Sequence, residues 1–239
     1  GAFVQPGGID LGRDEGGVMD VWEAVAERRS TRAFLDRPVE RDLLERVLAA
    51  ASRAPSGGNV QPWHVAIVTG AAKGALVHAV RDRLASSEPF PDAEYPVYPP
   101  SLWSPYRERR FDNGEQLYAA LGIPREDKLS RLGQFARNWE FFGAPVGAFI
   151  LVDRGMGAPQ WSDLGGFLQT LLLLLHAEGL AACAQEAWAA QHDLVARAID
   201  LPDHLMLFCG IAIGYADRSA PVNDWTSDRA PLDEWVTFH

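Results

Sequence analysis

Apolar residues return every three to four positions along some stretches of the chain and run without interruption along others. Val18, Val21, Trp22 and Val25 keep the 3.6-residue period, and charge closes the segment at Glu27, Arg28 and Arg29, which predicts a first helix. Pro38 opens a second, with Val39, Leu43, Leu44, Val47 and Leu48 along one face. Residues 54–59 are dense in turn formers, and residues 63–68 then read as a short strand. Leu76, Val77, Val80 and Leu84 mark a further helix, and helical stretches are expected at 114–121, 128–141 and 192–199. Strands are expected at 146–152, 180–184 and 206–214. Leu164, Phe167, Leu168, Leu171, Leu172 and Leu175 make a helix with almost no polar face, which belongs in the centre of the molecule or in a subunit interface. Strands and helices mix without strict alternation or repeat, so the pattern predicts an α+β fold about one central sheet.

Two segments stand outside this pattern. Residues 1–17 are acidic and Gly-rich, and are expected to be poorly tied down, leaving 18–239 as one domain. Between 88 and 105 lie six of the 16 prolines, interleaved with Phe90, Tyr95, Tyr98 and Trp103. No strand or helix period runs through 95–110. The reading is an irregular insertion over 88–111 whose aromatic side chains need a surface to pack on.

The 239 residues carry 32 acids against 22 bases, a net charge of −10, which argues against a basic nucleic-acid binder. At 47% hydrophobic and 23% charged, the composition is that of a folded globular chain. The longest leucine run, 171–175, falls far short of the roughly 20 apolar residues that span a membrane. No signal-peptide pattern is visible. Cys183 and Cys209 form no disulfide framework, lie in apolar stretches and suit a reducing cytoplasm. The six histidines have no ligand-like spacing, so no metal site is expected.

Three segments carry candidate chemistry. Arg28, Arg29, Ser30, Thr31 and Arg32 put three guanidiniums and a hydroxyl at a helix end, and guanidinium forks match phosphate. Taken alone, such a run is more often a solvated helix end. Residues 54–63, Ala-Pro-Ser-Gly-Gly-Asn-Val-Gln-Pro-Trp, allow close backbone approach at Gly57 and Gly58 and offer Ser56, Asn59 and Gln61 as neutral hydrogen-bonding groups. Alone, this is an ordinary turn. The C-terminal Gly-Tyr-Ala-Asp (214–217) and Arg-Ala-Pro-Leu-Asp-Glu (229–234) are individually unremarkable.

In order and spacing, these pieces together resemble the flavin-dependent nitroreductase family, over nearly everything after residue 18. Residues 106–110, 143–146 and 183–188 are similar to its bacterial nitroaromatic-reductase branch. The resemblance implies an α+β sandwich with a mainly antiparallel sheet, an intertwined homodimer, and FMN at the subunit interface. It implies that Arg28, Arg29, Ser30 and Arg32 grip the flavin phosphate, ribityl chain and pyrimidine edge, with Arg229 on the phosphate. Pro55, Ser56, Gly57 and Asn59 match the loop given by the other subunit. Ala184, Gln185, Glu186 and Ala187 match the loop whose backbone meets flavin N5, although Ala184 and Ala187 replace the proline and glycine of a common Pro-x-Glu-Gly form. Gln134 and Asn138 both fit the place of an amide side chain near the flavin.

The implied activity is NAD(P)H-dependent reduction of nitroaromatic or quinone-type acceptors by ping-pong hydride transfer, with the hydride chemistry carried by FMN and no catalytic side chain required. A dehydrogenase or dehalogenase on the same scaffold, and a non-catalytic flavin-binding protein, are the alternatives. No G-x-G-x-x-G fingerprint is present, so NAD(P)H is expected to bind transiently. Trp103 and Tyr106 are the candidate wall of the acceptor pocket, with Arg107, Arg109 and Arg110 placed to attract a carboxylate or nitro group; the alternative is that this loop only packs on the partner subunit.

Overall fold

The computed structural model describes residues 19–86 and 89–239. The expected loose segment 1–17, with Val18 and the first residue of the insertion, therefore lies outside the described residues. Four strands, β1 (His64–Thr69), β2 (Val146–Asp153), β3 (Ala181–Gln185) and β4 (Leu205–Gly214), form one sheet in the order β1-β2-β4-β3. Every pairing is antiparallel. The β2–β4 register runs from Val146 opposite Ile213 to Asp153 opposite Leu205, with a shift between Ile150 and Leu151.

Among the described residues seven α-helices surround the sheet: α1 (Val21–Glu27), α2 (Arg41–Ala51), α3 (Gly70–Ala85), α4 (Tyr106–Ala120), α5 (Lys128–Ala136), α6 (Ala158–Ala177) and α7 (His192–Ala198). On one face Leu44 and Val47 of α2 and Leu164, Phe167, Leu171 and Leu175 of α6 pack on Ala148, Ile150 and Ile211. On the other, Leu76 and Val80 of α3, Val195 of α7, and Phe141 and Phe142 cover Phe149 and Leu207. Central strands covered on both faces have no polar side to show, which is why β2 and β4 read as unbroken apolar runs. Each fully buried leucine or phenylalanine of α6 contributes about 1.5–3 kcal/mol before entropy. The apolar helix is thus a central clamp. Its start is fixed by Pro159 in the first turn and by the Gly157 N–H on Gln160 Oε1 at 3.2 Å. Gly179 at φ 73° ends it, with the Leu180 N–H on Leu175 O at 2.9 Å, and delivers the chain straight into β3.

Four expectations need correction. The second helix begins at Arg41 rather than Pro38, with Glu40 as its cap. The helix expected over 128–141 stops at Ala136 and continues as a tighter 3₁₀ segment over Arg137–Gly143, because Phe141 and Phe142 adopt φ of 52° and 53°. The insertion is irregular only as far as residue 105; α4 starts at Tyr106. That helix has no buried residue, so it carries no apolar period, and it is held by polar contacts such as Gln116 Nε2 to Asp228 Oδ2 at 2.8 Å. The first helix forms as expected, but Val21, Trp22 and Val25 lie exposed and only Ala24 is buried. No helix among the described residues is long and apolar enough to cross a membrane.

Candidate active site

The segment after α1 runs extended beside the edge strand β3. Ser30 bridges Ala182, and the Thr31 N–H donates to Ala182 O at 3.0 Å. Extended backbone sends alternate side chains to opposite sides. Arg28, Ser30 and Arg32 share one side, near Cys183: Ser30 is within hydrogen-bonding reach of its thiol, and both arginines act on it electrostatically. Burial outweighs them and pushes the Cys183 thiol up, as burial also does for Cys209. Both are inert as nucleophiles in this state.

Arg229 comes from the C-terminal tail to the same place. Burial first, and then the charge of Arg229, hold the Arg28 guanidinium below its ordinary value. Two cations are thus gathered where no carboxylate among the described residues pairs with Arg28. Arg229 itself is tied back to Ser227 Oγ and Asp228 O, each at 2.8 Å. Arg32 lies 5.7 Å from the Trp225 ring centroid.

Asn223 fixes this segment, and the sequence reading missed it. It is buried. Its Oδ1 accepts from the Arg32 N–H at 2.8 Å, and its Nδ2 donates to Ala33 O and Asp217 O, both at 2.8 Å. Its backbone oxygen accepts from Arg29 Nη1 at 3.4 Å. A single asparagine in a polar tail, 191 positions from its partner, has no local signature.

At the far end of β3 the loop 184–187 is held from behind. Trp139 Nε1 donates to Ala187 O at 2.9 Å, and Gln185 Nε2 donates to Asn138 O at 2.6 Å. Trp188 Nε1 closes the set on Gln185 Oε1 at 3.3 Å. No residue of this loop has a positive φ, so alanine at 187 in place of glycine costs no backbone strain. Burial raises the Glu186 carboxyl above its ordinary range. The strained Phe141–Phe142 pair buttresses this loop from below, another feature the sequence did not announce. Of the two amide candidates, Asn138 is committed to Phe135 O at 2.8 Å, whereas Gln134 is buried with no acceptor for Nε2 among the described residues.

Other site candidates stand apart. Pro55, Ser56, Gly57 and Asn59 form an exposed turn in which the Gly57 N–H meets Asp163 Oδ2 at 3.2 Å and Ser56 Oγ accepts from the Gln61 N–H at 3.0 Å. Asp163 is in the first part of α6, whereas His176, which shares a cavity with Arg28, is at its end. Thirteen residues at 1.5 Å rise separate them by about 20 Å. Within one chain, therefore, the turn does not meet the arginines. Trp103 and Tyr106 pack edge to face at 5.6 Å and are half exposed, and no contact joins them to Arg28 or Glu186. The insertion is moored nearer the loop by Tyr95, whose hydroxyl donates to Phe208 O and whose ring meets Trp161 at 5.0 Å.

Comparison with known proteins gives the same picture. The nitrobenzene nitroreductase of Ectopseudomonas oleovorans is 35% identical over 216 residues, covering 90% of this chain and 95% of its own. The 4-nitrobenzoate reductase of Nocardioides sp. (strain LMS-CY) is 37% identical, covering 92% and 90%. Among solved structures, the FMN- and NADPH-dependent nitroreductase NfnB of Sphigopyxis sp. strain HMH is 49% identical with a TM-score of 0.89, covering 92% of this chain and 99% of its own. The FMN-dependent NfnB of Mycobacterium smegmatis, solved with NADPH, is 34% identical with a TM-score of 0.85, covering 92% and 100%. The nitroreductase family model matches residues 25–215, most of the chain, and the chain belongs to that family.

Proposed function

We propose that this chain is an FMN-dependent NAD(P)H oxidoreductase that reduces nitroaromatic or quinone-type acceptors. The observation that carries the reading is the Arg28–Arg229 cluster, two cations without a counter-ion among the described residues, beside Ser30 and Arg32, at one end of a strand whose other end is the rigidly backed loop 184–187. A flat ligand ending in phosphate fits that layout. The unpaired, buried Nε2 of Gln134 is a further donor without a partner. The relatives named above are nitroaromatic reductases, and two of the solved neighbours use FMN and NADPH.

When bound, FMN supplies the two-electron hydride chemistry between the nicotinamide and the acceptor. The chain supplies position and charge. Arg28 and Arg229 neutralise the phosphate, since guanidinium does not titrate near neutrality. Ser30 serves the ribityl chain. Arg32, held by Asn223, sets a cation at the pyrimidine edge, where it favours negative charge. The loop 184–187 offers backbone N–H groups at N5. Trp103 and Tyr106 form the wall that selects acceptors.

A homodimer is part of the proposal. The turn 55–59 lies about 20 Å along α6 from the arginines. It therefore serves a flavin bound to the partner's arginines. Exposed Val21, Trp22 and Val25, the unpaired outer edge of β1, and exposed Leu232, Trp235 and Phe238 are surfaces that an obligate interface of roughly 2,000–5,000 Å² covers. A cytoplasmic setting fits the two free, buried thiols.

The test begins with the purified protein, which is expected to be yellow and to release FMN rather than FAD on denaturation. Arg229→Ala removes one charge-assisted contact worth about 1.5–3 kcal/mol in full burial. Arg229 is exposed here, so the expected loss of FMN affinity is about tenfold. Anaerobic bleaching by NADPH and NADH, followed by reoxidation with nitroarenes and quinones, reads the two half-reactions. Release of FAD, or no bleaching by either nicotinamide, refutes the proposal.

A further inference from the structure

We propose that a second anion site lies behind the arginine segment, in a cavity of about 760 Å³, and that its ligand is a phosphate monoester. The cavity opens between α1, the end of α6 and the start of β3. Arg28, Arg29, Arg37 and Arg218 line it. Arg229 does not, so the cavity adjoins the proposed flavin-phosphate cluster and shares Arg28 with it, while Arg29, Arg37 and Arg218 face the cavity without belonging to that cluster.

The arginines are short of partners. Arg37 lies flat on the Tyr215 ring at 3.8 Å, and Arg29 reaches only the Asn223 carbonyl, at 3.4 Å. Neither Arg37 nor Arg218 pairs with a carboxylate among the described residues. The acids on the wall are Glu27 and Asp224, so with Arg28 given to the flavin phosphate the other three arginines still outnumber the two acids, a formal charge of +1. A local cationic surplus in a chain of net charge −10 favours an anion. Several guanidinium forks lining one space suit the three equivalent oxygens of a phosphate, whereas a carboxylate is saturated by one or two. Leu172, Leu180 and the stacked Tyr215 give the cavity an apolar side for the organic part of the ligand.

His176 supplies an independent observation. Its Nε2 is buried in this wall without a hydrogen-bond partner, with Glu27 at 3.9 Å. Burial keeps its imidazole below the ordinary value; Glu27 and Glu23 oppose this, and Arg28 and Arg29 reinforce it. An anion in the cavity reverses that balance.

The test uses the FMN-loaded protein, titrated calorimetrically with inorganic phosphate and with adenosine 2′,5′-bisphosphate at low salt. Arg37→Ala and Arg218→Ala are each expected to weaken binding about three- to tenfold, because exposed guanidiniums are partly screened. FMN content stays unchanged in both. The His176 ring signals should titrate at higher pH when the probe is bound. Tighter binding of the bisphosphate assigns the site to the ribose phosphate of a dinucleotide, and equal binding assigns it to free phosphate. Either outcome supports the site. Absence of binding by both probes at millimolar concentration overturns it. So does a change in dimer association in the two variants with probe affinity unaltered, since a second copy then covers the cavity.

Discussion

Replacing Gly210 by alanine asks whether the middle of the sheet and the loop 184–187 are one packed unit. Gly210 lies in β4, opposite Phe149 on one neighbour and Gln185 on the other. A Cβ at this position falls 2.9 Å from Trp188 Cγ and Nε1, and closer still to Cδ1. Carbon atoms pack at about 3.5–4.0 Å, so the indole must retreat by more than about 1 Å. It has no room. Trp188 is fully buried, Phe141 lies against it at 4.6 Å, and Phe149 meets it edge-on at 5.2 Å. Overpacking of this kind costs about 1–3 kcal/mol. With the ring pinned on both sides, the upper value is expected, which for a chain of this size lowers Tm by roughly 6–12 °C.

The same retreat has a second consequence. Trp188 follows Glu186 by two residues and is hydrogen-bonded to Gln185, so moving the ring drags the loop proposed to meet the flavin. FMN affinity should fall together with stability. The assay is thermal unfolding with and without FMN, beside a flavin titration. Gly74→Ala in α3 is the control: its Cβ meets nothing within 4 Å, and it should stabilise by about 0.5–1 kcal/mol. A Gly210→Ala protein with parental Tm and parental FMN affinity sinks the reasoning.

Two further outcomes are expected. Asp193 is held at about 2, chiefly by its hydrogen bonds with Arg83 at 2.6 and 2.7 Å. A depressed carboxyl stabilises above its unfolded value and loses that contribution as pH falls through the folded value, so the window runs from about pH 4 to pH 2. The contribution is about 2 kcal/mol at neutral pH; Asp193→Asn should lose it in urea unfolding at pH 7 and differ little from the parent near pH 2, and an equal deficit at both pH values contradicts the linkage. Trp103→Ala and Tyr106→Ala remove half-exposed rings and should leave stability within about 0.5 kcal/mol. Lower acceptor turnover at unchanged FMN content supports the proposed wall, and parental rates with every acceptor dismiss it.

What could be read from the sequence divides along a physical line. Elements whose side chains are buried on a regular period were legible, because burial imposes the period. The apolar helix became α6 and the unbroken runs became β2 and β4. Elements held by distant polar partners were not. The second half of α4 was expected at 114–121, but nothing in residues 106–113 announces its first turns, and the anchors of the whole helix are Asp228, Glu234 and Arg131. Asn223, the hub of the arginine segment, acts through 2.8 Å bonds that depend on where the tail returns. The Phe141–Phe142 turn is unreadable for the opposite reason: bulky residues at positive φ run against local preference and persist only because the core encloses them.

The same line runs through the site itself. The two most informative motifs, residues 28–32 and 54–59, are local strings, and each was visible without any knowledge of the fold. Their relation was not. One lies beside β3 near the end of α6, and the other is tied to Asp163 near its start. A rigid helix clamped to the sheet by five buried apolar side chains cannot bend to bring them together. If both motifs hold one flavin, the second must come from another copy of the chain, running past the exposed face of α1. The separation along α6 thus turns a sequence resemblance into a geometric requirement. A flavin-loaded monomer found at micromolar concentration by sedimentation would break that requirement, and with it the assignment of residues 55–59 to the flavin.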